Sequence, residues 1–306
     1  PLIEQTGVAY ASQQDGVMHA CGHDGHTTMG LGAAKIIAKH NGLNGKVVFI
    51  FQPAEENMGG AKRMVEEGLF ERCPIDAVFG LHNLPGVPIG EIWAREGATS
   101  AAFDTFDISL EGAGGHGAMP DKAIDPIPAA AALIDGLNTI VSRNIAPLDS
   151  AVLSICAVNA GETYNVIPST ALIKGSCRSF NPTTQAILKD RIRTVVDGVA
   201  LAFGVTADLT YEERYPAVIN SPDETELIRS IAQDPKNGWS FKGDFEPLMG
   251  SEDFSFYLQK KPGCFFIIGN GNECGPLHSP TYNFNDEALP VGVAMWTQLA
   301  KRFLGA

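Results

Sequence analysis

No stretch of this 306-residue chain approaches the ~20 consecutive apolar residues that a membrane-spanning helix needs. Its strongest apolar runs, Val47–Phe51 and Phe265–Ile268, have only strand length. Positive charge is scarce as well. The 22 Lys and Arg stand against 35 Asp and Glu, and the net charge of −13 argues against nucleic acid or an anionic membrane as a partner. It does not exclude a small anionic substrate, because bound divalent ions would dominate a local field. Cysteine is sparse too: six (positions 21, 73, 156, 177, 264 and 274) are too few here for a disulfide scaffold, which points to a reducing cytoplasm. No basic segment followed by an apolar one marks a signal peptide, although the chain opens at Pro1 without an initiator Met. What is present is ordinary globular composition, 44% hydrophobic and 19% charged, at a length that suggests two domains.

Along the first ninety residues, strand-like runs alternate with helical patterns. His26 to Lys39 has helical spacing with a stop at Gly42, and Lys46–Phe51 reads as a buried parallel strand. Glu56 to Glu67 reads as a helix ended by Gly68, and Ile75–Leu81 as a second strand. The alternation implies an α/β fold, a mostly parallel sheet with helices on both faces. Near residue 100 the texture changes. Phe103–Leu110 alternates polar and apolar, an Ala-rich helix spans Asp125–Val141, and strands are expected near Ala151–Val158 and Ala171–Ser176. A helix over Thr184–Phe203 and a strand at Thr206–Tyr211 complete a β-α-β-β-α-β order, that of an inserted ferredoxin-like α+β domain. Residues 1–100 and 211–306 are therefore expected to form one domain and residues 101–210 the other. Ser221-Pro222-Asp223-Glu224 reads as an N-cap, a first-turn proline and a capping-box glutamate where the first domain resumes.

Ligand-competent side chains gather after the expected strands, where open α/β sheets place their sites. Cys21 and His23 precede a helix, Glu55 and Glu56 follow VVFIFQP, His82 follows AVFGL, and His278 lies in a loop after FFIIG. Each has a plain alternative. A lone Cys-x-His seldom binds metal, adjacent glutamates complement a helix dipole, and a single His is usually a surface residue. Convergence from separate parts of the chain favours a metal site, and zinc-like divalent ions accept such mixed sulfur, nitrogen and oxygen ligands.

The runs GVMHACGHDGH (16–26), FQPAEENMGG (51–60), GLHNLP (80–85), GAGGHGAMP (112–120) and MGSEDF (249–254) occur in family order over nearly the whole chain. In them the chain resembles the aminoacylase/carboxypeptidase metallopeptidase family, in the branch of hippurate hydrolase and the plant indole-acetyl-amino-acid hydrolases. The resemblance implies a catalytic domain holding two divalent ions, Mn or Zn, and an inserted lid that also forms a homodimer. Position by position, it makes Cys21, His23, Glu56, His82 and His278 the metal ligands, with Cys21 bridging, and Glu55 the general base. It makes His116 the histidine that reaches the neighbouring subunit's site, and Asn165 and Arg178 contacts to the substrate carboxylate or scissile carbonyl. The family usually has Ala or Ser where Gly115 and Gly117 stand.

The reaction so implied is hydrolysis of N-acyl amino acids, hippurate-like, to a carboxylic acid and a free amino acid. Two other readings stay open. A dipeptidase or carboxypeptidase of the same family would share every ligand, the Cys21 bridge arguing against it. The family's Asp-x-Asp segment, upstream of a stretch like PLIEQTG, has no counterpart in this chain, which is then either a fragment of a longer product or a natural remnant. A catalytically inactive metal- or ligand-binding remnant is the other reading.

Overall fold

The computed structural model describes residues 1–305, which divide into two units, each with its own core. One unit takes in residues 1–99, 219–246 and the chain from 256 onward; the other takes in residues 100–218 and 247–255.

The first unit opens with α1 (His23–Ile37), α2 (Glu55–Met58), α3 (Gly60–Glu66), α4 (Leu69–Arg72), β1 (Val78–Leu84), β2 (Glu91–Trp93) and β3 (Gly97–Ser100). The second contains β4 (Ala102–Glu111), β5 (Gly115–His116), α5 (Pro126–Asn144), β6 (Ala151–Ala160), β7 (Val166–Ile167), β8 (Thr170–Ser179), α6 (Pro182–Phe203) and β9 (Thr206–Tyr215). The chain then runs through β10 (Val218–Asn220), α7 (Pro222–Ala232), β11 (Ser240–Lys242), α8 (Ser255–Leu258), β12 (Gly263–Gly269) and α9 (Ala288–Phe303).

In the first unit the sheet order is β1-β12-β2-β11. β1 and β12 run parallel, β12 and β2 antiparallel, β2 and β11 parallel, so the sheet is mixed. Every residue of β12 is buried, which is why GCFFIIG lacks the polar alternation of a half-exposed strand. Phe266, Ile268 and Ile92 from the sheet share a core with Met29 of α1, Ile228 of α7 and Met295 of α9. Truncating such a side chain costs about 2–5 kcal/mol.

Two expectations fail here and a third holds only in part. The strand expected over Lys46–Phe51 joins no ladder among the described residues. Its apolar run is explained otherwise, since Val47 and Phe49 pack on Ala33 and Ile37 of α1 and Ala300 of α9. The helix expected over Glu56–Glu67 breaks into α2 and α3 at Gly59, whose φ of 63° is left-handed. Ser221 stands at the N-cap of α7 with Pro222 in the first turn, as read, but its side chain makes no cap bond; its hydroxyl accepts instead from the Gly263 N–H (3.1 Å), tying the start of α7 to β12.

The second unit is an antiparallel sheet ordered β6-β8-β4-β9, with α5 and α6 supplying helical side chains to its core. Phe106, Ile108 and Leu110 of β4 and Ile173 of β8 meet Leu133, Leu137 and Ile140 of α5 and Leu188 and Ile192 of α6. This is the β-α-β-β-α-β order read from the sequence. Both helices have working caps: Asp125 accepts from Ile127 N–H (2.9 Å) and Asn181 from Thr184 N–H (2.7 Å), each before a proline in the first turn. β9 runs on to Tyr215, beyond the expected end at Tyr211, and residues 247–255 join this unit from far along the chain. No helix among the described residues is long and apolar enough to cross a membrane.

Candidate metal centre

Local backbone chemistry brings the six candidate groups of the first unit together. Cys21 and His23 flank Gly22, whose φ of 90° is left-handed. A Cβ there would lie 2.3 Å from Asn83 Nδ2 and 2.4 Å from the Tyr282 hydroxyl, so only glycine lets this loop rest on those polar groups. Glu55 and Glu56 open α2, after Ala54 at a left-handed φ of 58°. The turn closes with Gly60, where a Cβ would meet the Pro53 carbonyl oxygen at 1.8 Å. His278 also has a positive φ, 61°, and its N–H donates to the Ala20 carbonyl (2.7 Å), joining its loop to that of Cys21. Such strained backbone persists only where the surroundings hold it, commonly at functional sites. Two placements differ from expectation. His82 lies within β1, paired with Ile267, because the strand continues to Leu84; and the glutamates follow a segment outside the sheet.

The ligand atoms of Cys21, His23 and His82 all lie within 4.8 Å of one another. The same holds for Cys21, Glu56 and His278, and for His23, Glu55 and Glu56. Cys21 Sγ is 3.3 Å from His82 Nε2, and His278 Nε2 is 3.0 Å from Glu56 Oε1. Two ligands of one zinc-like ion, bonded at about 2.0–2.3 Å with tetrahedral angles, stand about 3.5 Å apart, so these spacings suit shared ions. Cys21 is common to the set with His82 and the set with His278, the position a bridging thiolate would take. His23 Nε2 lies 3.9 Å from Glu55 Oε2. The donor set of one thiol, three imidazoles and two carboxylates fits divalent ions of the zinc or manganese kind.

Electrostatics prepare the rings. Burial pushes His82 down to about 4, against a hydrogen bond from Nδ1 to the Asn83 carbonyl that works the other way. Burial also lowers His23, offset in part by Glu56, and holds His26 well below its ordinary value, helped by His82 and His23. At neutral pH these rings are uncharged and keep a lone pair, the form that binds metal.

The remaining candidates lie in the second unit. His116 pairs with Val166 across the β5–β7 ribbon, and its Nδ1 accepts from Ala118 N–H (3.1 Å). The neutral ring therefore carries its hydrogen on Nε2 and is an outward donor. Asn165 sits beside it, its carbonyl accepting from Gly117 N–H (2.8 Å). A Cβ on Gly117 would come within 3.2 Å of the Asn165 backbone, so the glycine permits close approach. Arg178 stacks over the Phe103 ring (4.2 Å), and its Nη1 donates to the Met249 carbonyl (3.0 Å) and Ser251 hydroxyl (2.6 Å). It is not with the other two. The ribbon leaves the sheet where Gly112 N–H bonds the Ser169 carbonyl, whereas Arg178 pairs with Phe103 at the far end of β8. At ~3.3 Å per residue that separation is roughly 30 Å.

Residues 1–302 match the peptidase family M20/M25/M40. The chain belongs to this family. It is 40% identical over 304 residues to the hippurate hydrolase of Campylobacter jejuni, covering 99% of this chain and 79% of that protein. With the N-acetylcysteine deacetylase of Bacillus subtilis it shares 39% identity over 302 residues, 98% of this chain and 78% of the relative. Among solved structures, the Bacillus subtilis YXEP protein, a dinuclear metal-binding peptidase of the M20 family, superposes with a TM-score of 0.85 at 35% identity. That match covers all of this chain and 78% of the other. This M20-family chain is thus a metal-dependent amidohydrolase, and a pair of divalent ions suits its two Cys21-sharing sets.

Three residues around the centre escaped the sequence reading: Asn83, His26 and Tyr282. Two lie inside quoted motifs, yet nothing in their spacing marks them, because their partners come from distant segments.

Proposed function

We propose that this chain hydrolyses the amide bond of N-acyl amino acids, with the first unit as catalytic body and the second as lid and dimerisation domain. The observation that carries the reading is the sharing of Cys21 between two ligand sets beside the adjacent carboxylates of Glu55 and Glu56. In this reading Cys21, His23, Glu56, His82 and His278 hold two ions, Mn or Zn. Bound there, such ions would lower the pKa of a water from about 15.7 toward 7 and polarise the amide oxygen. Glu55 takes the proton of the attacking water and passes it to the departing amine, as a general base and then acid. Adjacency in α2 lets one carboxylate serve the water while its neighbour serves the ion.

Arg178, pinned through Nη1 and stacked on Phe103, offers a fixed cation to the substrate carboxylate. The Nε2–H of His116 is suited to a tetrahedral oxyanion, a contact worth about 3–4 kcal/mol. The wide separation of the His116 ribbon from Arg178 supports His116 acting on the site of a partner subunit. No cysteine among those described forms a disulfide, which suits a reducing compartment such as the cytoplasm.

The test is hydrolysis of hippurate and other N-acyl amino acids by the Mn- or Zn-loaded protein, beside dipeptides. Glu55→Gln should lose turnover by ~10²–10⁴-fold while retaining both ions. Glu56→Gln should lose one ion. Equal depletion of metal in both variants, or cleavage of dipeptides alone, would overturn the assignment.

A further inference from the structure

Behind the ligands lies a hydrogen-bonded group that the motif comparison leaves without a role. Asn83 is fully buried, with 0% exposure, and uses both ends of its side chain and both backbone groups. Its Nδ2 donates to the Cys21 carbonyl (2.7 Å), and its Oδ1 accepts from the Tyr282 hydroxyl (2.9 Å). Its backbone N–H donates to His26 Nε2 (2.9 Å), and its carbonyl accepts from His82 Nδ1 (2.6 Å).

These polarities leave little choice. A backbone N–H only donates, so His26 Nε2 is an acceptor and its ring is the neutral Nδ1–H tautomer. A carbonyl only accepts, so His82 carries its hydrogen on Nδ1 and keeps the Nε2 lone pair, 3.3 Å from Cys21 Sγ. The phenol of Tyr282 is buried and can satisfy Asn83 Oδ1 only as a donor, which fixes which end of the amide faces Cys21. Gly22 completes the arrangement by admitting both polar groups against the loop between two ligands.

We propose that Asn83 is the positioning residue of the metal centre, setting the Cys21 loop and the His82 ring in ligating geometry before an ion arrives. Tyr282 orients the amide, and His26 anchors the backbone at Asn83. None of the three is a ligand in this proposal, which rests on Cys21 and His82 being ligands. A leucine of similar volume would fill the space, but it would leave the Cys21 carbonyl and the Tyr282 hydroxyl without these partners. Partners that orient metal-ligating histidines in this way typically hold ~10–100-fold of metal affinity.

The experiment uses the full chain, stripped of metal, then titrated with Zn or Mn against a chromophoric chelator, alongside Asn83→Leu and Tyr282→Phe. Thermal unfolding of each metal-free protein and ¹⁵N shifts of the histidine rings are recorded in parallel. Asn83→Leu should weaken binding ~10–100-fold. Tyr282→Phe should weaken it about fivefold, the equivalent of one neutral hydrogen bond, and should fold but melt lower than wild type, because the buried Asn83 Oδ1 loses this donor. The His82 ring should stay Nδ1-protonated in the wild type and in Asn83→Leu alike, because the carbonyl that accepts from it is backbone, so that lost affinity traces to the Cys21 loop. Lower melting temperatures with unchanged affinity would reduce Asn83 to a structural residue and overturn the proposal. Should Asn83→Leu not fold, wild-type affinity in Tyr282→Phe would overturn it alone. A wild type that binds neither ion would instead remove the metal reading itself, a distinguishable failure.

Discussion

Each unit places a cysteine near a tyrosine, buried in the first and half-buried in the second, and a buried Asn or Asp, with opposite chemical results. In the first unit Cys21 faces imidazoles: His82 Nε2 at 3.3 Å, with His23 nearby and Asn83 holding the cysteine carbonyl. In the second unit Cys177 pairs across the sheet with Asp104, whose carboxylate accepts from the Tyr211 hydroxyl (2.7 Å) and from Gln185 (2.8 Å). Burial, with the charge of Asp104, pushes the Cys177 thiol up to about 12, so it keeps its proton and serves as a small core side chain. The difference teaches that the residue type does not make a ligand. Imidazole lone pairs and the Glu56 carboxylate around Cys21 can share a cation with a thiolate, whereas the carboxylate beside Cys177 is already engaged by Tyr211 and Gln185 and, with burial, resists a second negative charge.

The sharpest way to break this comparison is to substitute both cysteines. Cys21→Ser should weaken divalent-ion binding by more than ~100-fold, beyond the loss typical of a supporting residue, with little change in the metal-free fold. Cys177→Ser should leave metal content unchanged and cost about 1 kcal/mol of stability, because it exchanges a core thiol for a smaller, more strongly hydrated hydroxyl. Metal stoichiometry and denaturant melts of both variants check this. Loss of metal from Cys177→Ser would erase the distinction.

A somewhat smaller effect tests the catalytic division between the units. His116→Ala should lose ~10²–10³-fold of turnover, as removal of an oxyanion donor does. Mixing it with Glu55→Gln should restore part of the activity, because each mixed dimer then holds one complete site. No recovery after verified subunit exchange would remove His116 from action across a dimer.

The smallest effect concerns pH and should differ in sign between the two networks. His82 titrates near its ordinary 6.5 in the unfolded chain but at about 4 in the fold. Across that window the unfolded chain binds more protons, so this ring destabilises the metal-free protein as the pH falls. Burial raises the Asp104 carboxyl above its ordinary 3.8, so the folded chain takes up that proton first and gains stability as the pH falls. In melts from pH 7 to 4, metal-free wild type should therefore lose ground against His82→Asn and gain it against Asp104→Asn. Slopes of the same sign would show that one network has been misread.

Much of the site was legible from residue types and order. Cys21-x-His23, the paired glutamates, His82 and His278 could be named because short motifs keep reactive residues together, and the geometry gathers those side chains within a few ångströms. Less legible was how they get there. His82 was expected past the end of a strand and lies inside one, since nothing in AVFGLHNL marks where pairing with β12 stops. The glutamates were expected at a strand end and stand beyond a segment outside the sheet, because a short continuous apolar run cannot tell chain packed on helices from a paired strand.

By itself the amino-acid order determined the α/β and ferredoxin-like element patterns, the N-cap position at Ser221 with its first-turn proline, and the supply of sulfur, nitrogen and oxygen donors. These are short-range matters of periodicity, turn chemistry and side-chain type. Only the tertiary structure decided that Cys21 lies close to both His82 and the Glu56–His278 pair and that Cys177 is inert. It alone decided that Asn83 joins Cys21, His26, His82 and Tyr282, and that Arg178 lies far from the His116 ribbon. Those outcomes depend on which distant segments meet and on how much water they exclude. Hydrogen-bond partners, thiol acidity and ring tautomers follow from that packing.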